Sequence, residues 1–337
     1  MRFLAVLLFV FGAAAQAAVG VTELAGLDGD GPVTVFYPSS AEEKPLKRGP
    51  FELTLAWQGA PVRGNGRLIA VSRGSGGSPW VHADLARVLV NVGFVVVLPE
   101  HRGDNYRDPG TPGPESWKRR PAEISRAIDA VARDARFAPL LALDKVGMYG
   151  MSAGGHTALS LAGGRWSPAM LARHCTMHIA EDFPACVGLA TRLRGNFLDG
   201  FKIWTSLMVI GQKFSDPTWV SYGDPRVQAV VAGVPYAADF DMTSLAKPGV
   251  PLGLVNMGQD KWLAPRFHGE AIQKACAPCI SIASLPGGGH GALLSPFPPQ
   301  LPEAAAELLN DPPGFDRGQL PEVDRKIAEF FRKHLLP

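Results

Sequence analysis

A serine between glycines, in the string Gly150-Met151-Ser152-Ala153-Gly154, is the residue of this sequence best placed to act as a nucleophile. A hydroxyl attacks a carbonyl only when a base takes its proton, a third group orients that base, and N–H donors stabilise the oxyanion that forms. The sequence has a candidate for each part. His290, in Leu285-Pro286-Gly287-Gly288-Gly289-His290, is the candidate base, because it follows a late strand and a glycine-rich turn. Asp260, closing Asn256-Met257-Gly258-Gln259-Asp260, is the candidate acid, with Asp239 and Asp241 as competitors one strand earlier. Nucleophile, acid, histidine is the chain order that accompanies a serine on a sharp strand-to-helix turn. The candidate oxyanion donors are the amide of Ala153 and that of Ser75 in Ser72-Arg73-Gly74-Ser75-Gly76-Gly77, where glycines let an N–H turn inward. His156, four residues past Ser152, reads as a helix-packing residue, whereas His101, after an earlier strand, could face the same cleft.

These residues need elements that bring them to one place. With 38 glycines in the chain, the serine string alone carries little weight; the strand Lys145–Tyr149 before it and the helix 152–162 after it give it meaning. From Ala18 to about Leu68, the runs GVTEL, GPVTVFYP and FELTLAW read as hairpin strands, with a surface loop over 39–50. The rhythm then becomes strand, loop, helix. Strands are expected at 67–71, 94–98, 227–234, 251–257 and 280–285, and helices at 80–92, 121–136 (with Pro121 in its first turn) and 322–334. Strands apolar at every position are buried on both faces, so the fold class is α/β, a mostly parallel sheet with helices on both sides. Residues 165–222 break the rhythm and read as a cap or lid, or alternatively as a pair of ordinary packing helices. The cleft walls are expected from this segment and from the loops around Trp80 and Trp262.

The 337 residues, 46% hydrophobic and 19% charged, suffice for one large domain over 18–337. A formal net charge of +2 and the absence of any basic helix interleaved with aromatics argue against nucleic-acid binding and leave a small molecule as the expected partner. No metal or cofactor is implied. Residues 1–17, MRFLAVLLFVFGAAAQA, have one basic residue, an apolar run and a small-residue end, the pattern of a secretory signal cleaved after Ala17. Export to periplasm or medium is therefore expected, with no membrane span in the mature chain. An oxidising destination suits the four cysteines, expected as the disulfides Cys175–Cys186 and Cys276–Cys279. A redox role for Cys276-Ala277-Pro278-Cys279 is disfavoured because the motif follows a helix rather than opening one.

Taken together, VTVFYPSS, IAVSRGSGG, GFVVVLPEHRGDN, RRPAEISRAIDAV, VGMYGMSAGGHTAL, GQD and GGGH resemble the bacterial dienelactone-hydrolase-like proteins related to platelet-activating-factor acetylhydrolase, over most of the chain. The resemblance implies an α/β-hydrolase fold, with Ser152, Asp260 and His290 as triad and Ser75 and Ala153 at the oxyanion hole. It implies a serine ester hydrolase; an amidase or peptidase, or a non-catalytic binding protein on the same scaffold, are the alternatives. Two departures stand out. Arg73-Gly74 replaces the usual His-Gly, and the nucleophile is serine where true dienelactone hydrolases use cysteine.

Overall fold

The computed structural model describes residues 17–337, so the expected signal segment lies outside the described residues apart from Ala17. Ten strands form one sheet in the order β10-β9-β8-β7-β5-β6-β2-β1-β4-β3. They are β1 (Ala18–Leu24), β2 (Val33–Ser39), β3 (Lys44–Arg48), β4 (Phe51–Trp57), β5 (Leu68–Ser72), β6 (Val95–Pro99), β7 (Val146–Met151), β8 (Val227–Gly233), β9 (Leu252–Met257) and β10 (Ile280–Leu285). The six from β6 to β10 along the sheet pair in parallel, while β2 joins β6 antiparallel and starts the N-terminal extension.

The central parallel strands β5, β6 and β7 are buried at every position because both their faces are covered, whereas β10 at the sheet edge is half exposed. Alternate residues of β5 divide between two cores: Leu68 and Ala70 pack with Ile124, Ile128 and Val131, while Ile69 and Val71 pack with Leu89, Ile327 and Phe331. Helices α1 (Ala83–Asn91) and α10 (Leu320–Leu335) thus cover one face, and α2 (Pro114–Arg133) and α3 (Ala153–Leu161) the other. The remaining helices are α4 (Pro168–His178), α5 (Phe183–Val187), α6 (Asp199–Lys213), α7 (Met242–Leu245), α8 (Gly269–Ala275) and α9 (Glu303–Leu309).

Three expectations need correction. The segment 39–50 is not all loop, since Lys44–Arg48 pairs antiparallel with β4 as β3. Helix α2 begins at Pro114, not Pro121. Pro121 lies inside it, at a cost of roughly 3 kcal/mol that burial of Trp117, Ile124 and Ile128 on the same helix offsets. Trp80 packs edge-on against Phe36 in the core instead of lining a cleft.

The segment 165–222 holds α4, α5 and α6. Its ends are pinned together, for Trp166 and Val220 exchange two backbone hydrogen bonds of 3.0 and 2.7 Å. Cys175 on α4 and Cys186 on α5 stand at disulfide distance, as do Cys276 and Cys279.

Candidate active site

Strand β7 ends at Met151 and α3 begins at Ala153, which leaves Ser152 alone to reverse the chain at φ 57°. That left-handed conformation is strained for a residue with a side chain. Its neighbours are glycines for a steric reason: a Cβ on Gly150 would overlap the carbonyl of Gly154, and one on Gly154 would overlap that of Ser72. The turn is fixed by hydrogen bonds from Ser152 N–H to the Gly233 carbonyl (3.1 Å), and from the Tyr236 and His156 amides to the Ser152 carbonyl (3.1 and 3.0 Å).

His290 arrives on the turn after β10 and Asp260 on the turn after β9, both at the carboxyl edge of the parallel sheet, where the crevices of such sheets lie. His290 Nε2 is 2.9 Å from Ser152 Oγ, and Nδ1 is 2.7 Å from Asp260 Oδ2. The other oxygen of Asp260 accepts from the Trp262 and Leu263 amides, each at 2.8 Å, which fixes the carboxylate plane. With Nδ1–H donated to the carboxylate, Nε2 is left to accept the Ser152 proton. The Trp262 ring lies 5.4 Å from the imidazole, shielding one face of it.

The competing acids are engaged elsewhere. Asp239 is fully buried against His156 Nε2 at 3.0 Å, and Asp241 caps α7 and pairs with Arg165. His156 packs within the core between Trp117 and Phe240, as expected of a helix-packing residue. His101 does not face the cleft. It is wholly buried between Ser72 Oγ (2.8 Å) and Glu123 Oε2 (2.5 Å).

The backbone N–H groups of Ala153 and Ser75 donate to no protein acceptor among the described residues. Both residues line the cleft with Ser152. The Ala153 amide belongs to the first turn of α3, whose N–H groups have no partner within the helix and suit developing negative charge. Gly74 lies beside the serine: a Cβ there would stand 3.4 Å from Ser152 Cβ.

The loop that carries Ser75 is held by buried charges. Asp104 accepts from the Ser75 hydroxyl (3.0 Å), the Gly76 amide (3.1 Å) and Arg120 (2.7 Å), while Arg120 also donates to the Arg73 carbonyl at 2.6 Å. Burial would raise the Asp104 carboxyl, but Arg120 and the Ser116 and Ser75 hydroxyls outweigh it and hold it below the usual carboxylate range. Arg73 closes the loop on itself by donating to the Gly77 carbonyl (2.6 Å) and reaches the Pro99 carbonyl (2.7 Å). Burial and the neighbouring Arg120 pull it down to about 10. Asp104 and Arg120 escaped sequence reasoning because their partners are distant in the chain, although each lies in a string that carries the family resemblance.

A cleft of about 460 Å³ opens on Ser152. Trp117, Tyr236, Trp262 and Leu263 line it from the sheet side, and Leu171, Val187, Leu189 and Phe214 from the segment 165–222. That segment is tied to the sheet by Asp182, which accepts from His174 (2.8 Å), His268 (2.9 Å) and the Ala264 amide (2.9 Å). Burial opposes ionisation of Asp182, yet the two histidine hydrogen bonds prevail and keep its carboxyl far below the ordinary range.

This architecture has known counterparts. The chain is similar to a ferulic acid esterase from Streptomyces cinnamoneus, at a TM-score of 0.56 and 15% sequence identity, over 96% of this chain and 91% of that one. The fold is that of the α/β-hydrolases. At such identity the likeness extends to the fold and no further. No family model matches the sequence, and no curated protein is significantly similar to it.

Proposed function

We propose that this protein is an exported serine hydrolase of carboxylic esters, with Ser152 as nucleophile, His290 as general base and Asp260 as the group that orients it. One observation carries the reading: His290 bridges Ser152 and Asp260 through its two ring nitrogens, at 2.9 and 2.7 Å, and Ser152 lines an apolar cleft. Ser152 Oγ attacks the ester carbonyl as His290 takes its proton. The tetrahedral oxyanion is held by the Ala153 and Ser75 amides, and the alcohol leaves with the proton from His290. Water, activated by the same imidazole, then releases the acid. The serine elbow, the later acid and histidine, and the glycine loop also support kinship with the dienelactone-hydrolase-like and platelet-activating-factor-acetylhydrolase-like proteins. The similar solved structure is named an esterase, so esters are the first substrates to test.

The cleft volume bears on the acyl group. A space of about 460 Å³ with four aromatic side chains in its wall accommodates acyl groups larger than acetyl. Segment 165–222, which supplies part of that wall, acts as a cap. The cysteine pairs at disulfide distance and the N-terminal sequence support export. The test is a fluorophosphonate probe with a series of p-nitrophenyl esters from acetate to palmitate. Ser152 should be labelled and turnover lost in step with labelling. A wild-type enzyme that takes no label and cleaves no ester overturns the reading.

A further inference from the structure

Helix α6 has two apolar faces, and only one of them is packed. At about 100° per residue, Ile203, Leu207 and Ile210 fall together and rest on the core beneath. Phe197, just ahead of the first turn, and then Phe201, Trp204 and Met208 recur at steps of four, three and four, and fall on a second side. They are 91, 63, 57 and 47% exposed. Leu198 and Val209, about a quarter turn round the helix, are also exposed and widen the apolar surface. Single exposed apolar residues are ordinary on protein surfaces, whereas an aromatic stripe of this length marks a contact surface.

We propose that this stripe docks the protein on a lipid–water interface. The helix lies on such a surface and does not enter it as a span: no helix among the described residues is long and apolar enough to cross a membrane. A helix of this kind sets Trp and Phe on one side and Lys on the other; on α6 Lys213 falls away from the stripe, whereas Lys202 is held by Asp199 (2.9 Å) and the Arg192 carbonyl (2.7 Å). Trp and Phe are favoured at the boundary of headgroup and acyl chain. The exposed Lys213 favours anionic headgroups. A second copy of the chain is a poorer occupant, because a stable protein interface takes roughly 20–30 residues a side and the stripe supplies four side chains of one helix with two neighbours. The location is also productive. Leu189, itself exposed, and Phe214, at the end of α6, both line the cleft, so docking brings the cleft close to the surface.

The experiment is flotation of the full chain with vesicles of phosphatidylcholine and phosphatidylglycerol, which reads binding and does not depend on turnover. Wild type should float with the vesicles. The triple variant Phe197→Ser, Phe201→Ser, Trp204→Ser should bind at least tenfold less, with the same thermal transition and the same rate on a dissolved short-chain ester. Should the triple variant lose its thermal transition, Trp204→Ser alone, at the same readout, decides. Wild type that stays with the dense fraction overturns the proposal, as does a folded variant that floats like wild type. A wild-type dimer by light scattering that the triple variant converts to monomer, without flotation of either, assigns the stripe to a second copy and equally overturns it.

Discussion

Two serine–histidine–carboxylate chains occur in this fold, and they differ far less in geometry than in surroundings. Ser72, His101 and Glu123 are spaced at 2.8 and 2.5 Å; Ser152, His290 and Asp260 are spaced at 2.9 and 2.7 Å. Ser72 sits in ordinary strand backbone at the end of β5 and has no exposed surface, whereas Ser152 occupies a strained turn and lines the cleft. Burial, then the charges of Arg120 and Arg73, hold His101 well below its ordinary value, and burial raises Glu123. The buried chain joins the end of β5 to the loop after β6 and to α2. Distances suited to proton transfer are common to both chains; access, a strained turn and unpartnered amides distinguish the second from the first.

The largest expected contrast is between Ser152→Ala and Ser72→Ala. The first should lower kcat/KM on the order of 10⁴-fold or more and abolish fluorophosphonate labelling. The second should keep the label and lose less than about tenfold in rate, with about 1–2 kcal/mol of stability lost in urea denaturation. Asp260→Asn should cost on the order of 10³- to 10⁴-fold in kcat, since it disturbs the tautomer of His290, while Glu123→Gln should leave kcat within about tenfold of wild type. Equal losses from the two carboxylate variants would remove the distinction between the chains. Asp104→Asn separates positioning from chemistry. It loosens the loop bearing Ser75, so kcat should fall roughly 10- to 100-fold with KM little changed.

The smallest effect concerns pH. The folded protein keeps His101 unprotonated where the unfolded chain binds a proton, so its contribution is complete above the unfolded value of about 6.5 and is lost as pH falls below it. His101→Gln should be less stable than wild type at pH 8 by about 1–2 kcal/mol, and urea titrations should show the gap narrowing at pH 5. An unchanged gap would mean that His101 titrates alike in both states.

Much of this was legible because β6 is apolar at every position, the other parallel strands are largely so, and the glycine requirement at the elbow is local. Ser152, Asp260 and His290 each follow a strand in the chain, so strand assignment was enough to bring them to one edge. What escaped was encoded at long range. Arg120 and Asp104 look like surface charges until the Arg73 carbonyl and the Ser75 hydroxyl are beside them. Pro121 imitates a helix start because its missing N–H is tolerated there, and only the burial of Trp117 and Arg120 shows that the helix began a turn and more earlier. The loop around Trp80 reads as a cleft wall in the sequence, yet the Trp80 ring packs edge-on against Phe36 in the core.

Strand β3 was missed because Lys44-Pro45-Leu46-Lys47-Arg48 is charged and carries a proline, features that ordinarily signal a loop. It is the outermost strand at one end of the sheet. There, three cations and an imino acid without an N–H oppose the addition of a strand from another molecule. In a chain with so many apolar strands, that margin works as a barrier to polymerisation, and a Lys47→Val, Pro45→Val variant should gain aggregation without losing its native fold.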